Sequence, residues 1–188
     1  MALVCSASMA FAQKSLPLRV AVSNEATAIP FTKLITTPFH PCIQLGTEFR
    51  SKTRTHSRVY YTANMGYIFH NYLYQGVYVN LERGYDYKIT KRFSAKGLFG
   101  LGYLHTFTTQ EEYSLIDGEY RQKGDKGNAR LMPMVSLGFG YKLKNASEVF
   151  VLYKSWAEYP YSPGFIPVMS HINLELGLTI NASKNESK

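Results

Sequence analysis

Five histidines, His40, His56, His70, His105 and His171, are the side chains of this 188-residue sequence best suited to acid–base or metal chemistry. Their spacings lack the dense pattern of a metal-ligand set, so no metal centre is expected from them. Hydrolysis by a nucleophile needs a serine or cysteine, a histidine base and an acid that orients the base. Ser170, His171 and Glu175 come nearest, because Ser170 and His171 adjoin where a loop enters a strand. Strand alternation sends adjacent residues to opposite faces, so a polar lining role for His171 and Glu175 outweighs the catalytic one. Cys42 has no His–Asn pairing to activate it and suits a small packed position. With no phosphate-binding glycine loop, CxxC or HExxH in the chain, no cofactor is expected.

Composition narrows the class. Lys and Arg number 21 against 13 Asp and Glu, a formal net charge of +8. The basic residues are scattered, with Lys52, Arg54 and Arg58 at one turn and Arg121, Lys123, Lys126 and Arg130 in one polar loop. A nucleic-acid surface would gather them on one platform with exposed aromatics, so nucleic acid is not expected as a partner. Aromatics make up 14% of the chain, which excludes wholesale disorder. No apolar run reaches the roughly 18 residues of a membrane helix.

Met1–Ala12 reads as a signal-peptide remnant, its Ala10-Phe11-Ala12 forming an A-x-A cleavage site. The basic segment that should precede it is missing, so the true start codon is expected further upstream. Too few residues precede Cys5 for a lipidation signal. The fold is expected over 13–181, followed by a polar tail at 182–188. Cys42 is then the sole cysteine of the mature chain, and the fold must hold without a disulfide.

Over that span the dominant pattern is alternation with period two, the mark of strands with two unlike faces. Ile172, Leu174, Leu176, Leu178 and Ile180 oppose His171, Asn173, Glu175, Gly177 and Thr179. The same reading gives strands near 16–23, 43–50, 59–70, 77–88, 93–103, 131–143 and 148–157, eight in all. The links at 24–41, 107–129 and 158–170 are long, and those at 51–56, 90–92 and 144–147 are short. The link at 71–75 is no longer than 51–56. Long links on one side and short turns on the other fit an antiparallel up-and-down transmembrane barrel.

Alternation alone does not say which face is the lumen. The polar faces carry Gly46, Gly66, Gly84, Gly100, Gly102, Gly138, Gly140 and Gly177. An eight-stranded barrel has an interior only wide enough for side chains, so its small residues belong inside. The same faces carry Glu48, Arg50, Glu82, Asp86, Lys88, Lys96, Lys142 and Glu175, both signs of charge, which paired would plug the bore. Tyrosines 60, 61, 67, 85, 87, 103, 141 and 153 lie toward the ends of apolar faces, where a membrane–water boundary would fall. Arg83 stands against this assignment, being on an apolar line near the middle of its strand, where a basic residue costs roughly 2–4 kcal/mol.

In strand number, alternation and loop asymmetry, residues 16–181 resemble the small eight-stranded outer-membrane barrels of Gram-negative bacteria, with OmpA-, OmpX- and PagL-like architecture. The stretch from Pro38-Phe39-His40-Pro41 to Phe49 looks like uncharacterised barrels of Bacteroidota-type bacteria. The final strand departs from the family in lacking a terminal aromatic, since it ends at Ile180. The resemblance implies a monomer in the bacterial outer membrane, with outer-membrane lipid and lipopolysaccharide as partners. On it, the chain acts structurally or through its outer loops; from their position and charge, Arg121, Lys123, Lys126 and Arg130 are expected to meet lipopolysaccharide phosphates on the outer surface. The alternative it implies is a lipid A deacylase, a lipid-modifying esterase built on Ser170, His171 and Glu175. The family's enzyme carries His-x-Ser on one strand face, and no histidine here is followed by serine at that spacing. A soluble periplasmic lipocalin-like binder is the remaining alternative.

Overall fold

The computed structural model describes residues 16–32, 37–70, 74–109, 112–116, 118–124, 126–144, 147–162 and 164–181. The proposed signal remnant 1–12 and tail 182–188 lie outside the described residues. Ten strands follow one another: β1 (Leu18–Thr27), β2 (Pro41–Thr53), β3 (Ser57–Phe69), β4 (Tyr74–Lys88), β5 (Phe93–Thr108), β6 (Glu112–Ile116), β7 (Glu119–Lys123), β8 (Asn128–Lys142), β9 (Glu148–Glu158) and β10 (Met169–Ile180). Eight of them close an antiparallel barrel in the order β1-β10-β9-β8-β5-β4-β3-β2, while β6 and β7 form a separate hairpin. Each barrel strand pairs with its chain neighbours, and β1 pairs with β10 from Leu18↔Ile180 to Thr27↔His171, so no edge is left open.

The eight expected strands are present, with longer reach. β1 continues to Thr27 and carries Glu25 into the barrel, although the sequence left 24–41 as a link. The expected loop 107–129 is largely strand: β5 runs to Thr108, β8 starts at Asn128, and the β6–β7 hairpin stands between them. Short turns join β2 to β3, β4 to β5 and β8 to β9 at one end of the barrel. At the β4–β5 turn, the Thr90 hydroxyl accepts from the Phe93 and Arg92 amides at 2.9 and 3.2 Å, fixing the reversal.

Large apolar residues point outward and charged ones inward. Met65, Leu81 and Phe99 are 62, 61 and 60% exposed, whereas Arg19, Glu82 and Glu175 are 1, 1 and 2% exposed. A soluble ligand-binding barrel has the opposite arrangement. Exposed rings gather at two heights. Tyr61, Tyr85, Tyr87, Phe93, Phe139 and Tyr141 lie toward the short turns, and Tyr67, Tyr103, Phe107 and Tyr159 toward the long links. Tyr60 corrects the expectation for that belt, because it is fully buried in the bore.

Glycine makes room in the bore. Three large rings each face a directly paired glycine on the next strand: Tyr78 opposite Gly66, Tyr60 opposite Gly84 and Phe150 opposite Gly177. A β-carbon at any of the three glycines would run into the facing ring. Laying the ring over a bare backbone packs the narrow interior and pins register, as aromatic residues over strand glycines do.

Arg83 projects outward between Tyr61 and Phe99, its register partners. It stands one outward position from the strand's middle toward the short turns, with Tyr85 and Tyr87 following on the same face. Its stem can therefore run toward the boundary of the apolar band and leave the guanidinium in the polar zone.

Candidate functional site

The lumen holds charge at three levels. Nearest the short turns, Asp86 and Glu148 share Lys96, at 3.1 and 2.6 Å. Arg58 joins this level by engaging Glu48 and approaching Asp86 at 3.6 Å. The Tyr60 hydroxyl donates to Asp86 at 3.1 Å, with the Arg58 guanidinium 4.5 Å above the Tyr60 ring. At mid-height, Lys154 bridges Glu175 at 3.0 Å and Glu82 at 3.3 Å, while Arg19 lies 3.5 Å from Glu175 and 4.0 Å over the Phe150 ring. Asn64 completes the level by donating to Glu82 at 2.9 Å and to Asn80 at 2.7 Å. Buried charge is costly unless paired and hydrogen-bonded, and these pairings meet that condition while closing the bore.

Glu48, Glu82, Asp86, Lys96 and Glu175 therefore meet inside as the alternation indicated. Arg50 does not. A bulge between Phe49 and Lys52, with Arg50 at φ 47°, turns its side chain out to solvent. Arg58, read as a turn residue, takes the place beside Glu48. Lys88 is half-buried at the rim, where its ammonium donates to the Arg54 carbonyl at 2.7 Å. Lys142 is likewise half-buried, opposite Glu148 in the ladder.

The third level lies at the long-link end and differs in kind, being built mainly of histidines and aromatics. The His171 ring stacks on Trp156 at 4.1 Å, and Trp156 is held by its indole N–H donating to Asn173 at 2.7 Å. One nitrogen of His171 meets Glu25 at 2.7 Å and the other meets Glu158 at 3.1 Å. Glu158 also pairs with Arg130 at 2.7 Å, and Arg130 donates to the Tyr161 and Pro160 carbonyls at 2.6 and 3.0 Å. Above Glu25 the imidazoles of His40 and His70 stack at 3.6 Å, and the Tyr74 ring lies 6.1 Å beyond His70. Burial holds His70 below the ordinary imidazole pKa; Glu25 opposes that effect, and His40 adds to it. A polar cavity of about 240 Å³ opens beside this level, lined by Tyr74, Thr106, Thr108, Asn128, Arg130, Tyr161 and Ser162.

The hydrolase trio is not assembled. His171 faces the lumen, Ser170 is half-buried on the opposite face of β10, and Glu175 lies four residues further on, roughly 13 Å at strand rise. Glu175 spends its oxygens on Lys154 and Arg19 instead. Cys42 is buried beside Asn173, whose amide reaches its sulfur at 3.5 Å. Of the four loop cations, Lys126 is exposed, whereas Arg130 turns inward to Glu158. Arg121 and Lys123 stand on β7, and their side chains lie outside the described residues.

Sequence reading missed Glu25, Arg19, Arg58, Lys154, Glu148 and Glu158 as lumen charges. Arg19 was legible, since it falls between Leu18 and Val20 on the face opposite theirs. Lys154 was not, because β9 carries Phe150, Leu152 and Trp156 inward and Val149, Val151 and Tyr153 on its other face, so both faces read as apolar.

Closed topology, the outward apolar belt and a bore filled with ion pairs define an eight-stranded antiparallel barrel of the outer-membrane type. No family model matches the sequence, and no curated protein matches it. Among solved structures the chain is similar to neisserial surface protein A, with 8% identity and a TM-score of 0.55 over 88% of this chain and 95% of that one. It is similar also to Ail, the attachment invasion locus protein of Yersinia pestis, with 11% identity and a TM-score of 0.51 over 88% and 96%. The outer-membrane enzyme PagL aligns at 13% identity and a TM-score of 0.49 over 87% and 98%. At such identities the likeness is one of fold.

Proposed function

We propose that this chain is an outer-membrane barrel with a plugged lumen, acting structurally or by surface interaction through its long-link end. One observation carries the reading: large apolar residues clothe the outside between two rings of aromatics, while the inside is closed by ion pairs. Lipid solvates such a belt, and paired charge removes the free path a diffusion pore needs. With short turns toward the periplasm, the β6–β7 hairpin, Lys126 and the cavity beside Tyr74 face outward. Arg121, Lys123 and Lys126 are proposed to meet lipopolysaccharide phosphates, while Arg130 supports the mouth from within. The barrel is proposed to act as a monomer.

The test is fractionation of a tagged chain together with gel migration of unheated and boiled samples. The outer-membrane fraction and a faster-migrating unheated band are expected. Recovery as a soluble, detergent-independent protein would overturn the reading. Neutralising Arg121, Lys123 and Lys126 together is expected to weaken lipopolysaccharide association without altering the heat-dependent band.

A further inference from the structure

We propose that Glu25, His40 and His70 form a binding site for a divalent transition-metal ion of the zinc type at the long-link mouth of the barrel. The three come from different parts of the chain: Glu25 from β1, His40 from the residue before β2, and His70 from the residue after β3. All three are buried, and one donor atom from each lies within 4.8 Å of the other two. Side-chain adjustments that shorten these separations by up to about 1.5 Å would bring such donors to the ~3.3 Å that tetrahedral zinc with ~2.05 Å bonds requires.

Two unsatisfied atoms point to a ligand. His40 Nδ1 lies 3.2 Å from the Glu25 main-chain carbonyl. A carbonyl only accepts, so Nδ1 carries the hydrogen and Nε2 of the neutral ring keeps its lone pair. Among the described residues that buried Nε2 has no hydrogen-bond partner, and neither has Glu25 Oε2. A hydrogen bond from one imidazole nitrogen to a carbonyl, leaving the other free, is how metal-binding histidines are usually oriented. Among the described residues, Glu25 also has no lysine or arginine ion-pair partner. Its side-chain contacts are His171 at 2.7 Å and His40 at 3.7 Å, both imidazoles. Rings stacked as closely as those of His40 and His70 repel if both are protonated. A metal lets both stay neutral and supplies the positive charge that the carboxylate lacks.

Donor chemistry selects the ion. Two imidazoles and one carboxylate suit zinc, nickel or copper, whereas magnesium and calcium want oxygen ligands. Three protein ligands leave a fourth position for water or an exogenous ligand. Tyr74, whose buried hydroxyl has no hydrogen-bond partner, stands between His70 and the 240 Å³ cavity.

The test uses untagged full-length chain refolded in detergent micelles, with Co²⁺ as the optical probe and Zn²⁺ as competitor. One equivalent of Co²⁺ is expected to give visible d–d absorption, displaced by Zn²⁺. His40→Gln, His70→Gln and Glu25→Gln are each expected to weaken binding by at least about tenfold, the least that loss of even an outer-shell partner costs. His105→Gln, which removes an outer-face ring bonded to Tyr103, is expected to leave binding unchanged. Heat-dependent gel migration checks that each variant is folded. Imidazole resonances of the unmutated protein give a readout independent of variant folding, since Zn²⁺ should shift those of His40 and His70 and spare His56 and His105. Absence of stoichiometric binding to the folded barrel, parental affinity in His40→Gln and His70→Gln, or shifts confined to other histidines would overturn the proposal.

Discussion

His171 on the last strand and Glu25 on the first meet at 2.7 Å, so an imidazole–carboxylate pair bridges the seam that closes the barrel. The two are not symmetric in what they leave behind. Without Glu25, His171 keeps Glu158 or sheds a proton. Without His171, Glu25 and Glu158 remain buried with Arg130 as the nearest fixed cation. His171→Ala is therefore expected to cost about 3–5 kcal/mol, as when a buried ion loses its partner, and Glu25→Ala about 1–3 kcal/mol. Urea unfolding in micelles with a chelator present gives both values. Equal losses, or a larger one for Glu25→Ala, would contradict this account of the seam.

How much of this was legible from sequence depended on whether the two faces of a strand differ. β2, β4, β5, β8 and β10 set glycine and charge against large apolar residues, so their facing and five of the lumen charges could be read directly. β9 failed because the bore needs bulky Phe150, Leu152 and Trp156 where neighbouring strands supply glycine. Arg50 failed because a bulge breaks period two, and period-two reading cannot see one. The Asp117-Gly118 dipeptide is a hairpin signal inside the segment read as loop, and Gly118 has the positive φ of 82° such turns need. Of the third level, His171 and Asn173 were legible on the polar face of the last strand, and the rest was not. Glu25, His40 and His70 stand at strand ends where alternation lapses, and the registers of β1 with β2 and of β2 with β3, which set them side by side, are not visible in the sequence.

Lys96 holds the level nearest the short turns. It is the cation nearest Glu148 and, together with Arg58, neutralises Asp86. Lys96→Met keeps the volume and removes the charge, leaving two carboxylates facing each other, and should destabilise the barrel by about 3–5 kcal/mol. Lys88→Met, at the half-exposed rim, should change stability by about 0.5 kcal/mol or less. Unfolding midpoints of the two variants, measured side by side in the same micelle, decide whether the interior charge is structural.

Glycines of the barrel wall differ, Gly138 facing the bore and Gly97 the outer surface, and alanine should tell them apart. A β-carbon at Gly138 would meet the Val151 main-chain carbonyl, which cannot yield without breaking the β8–β9 ladder. Gly97 has only the Leu137 side chain nearby, at 3.8 Å. Gly138→Ala is expected to cost about 1–3 kcal/mol as overpacking. Gly97→Ala is expected to be neutral or to stabilise by about 0.4–1 kcal/mol through the unfolded chain. Similar effects at both sites would mean that the ladder spacing is looser than the structure has it.

The outer face of β4 tests the membrane assignment along a single strand. Leu81 sits at the middle of β4 and is 61% exposed, and Arg83 lies one outward position closer to the short turns. In phospholipid vesicles Leu81→Arg should cost about 2–4 kcal/mol, the value for a basic side chain at the midplane of a barrel wall. Arg83→Leu should move stability by only about 0–1 kcal/mol, because its stem is long enough to carry the guanidinium toward the boundary zone. In a soluble barrel the order would reverse: added charge on an exposed face would be tolerated, and an added leucine would promote association. Denaturant titration of both variants in vesicles, against the parent chain, separates the cases, and a harmless Leu81→Arg would remove lipid from the outer surface.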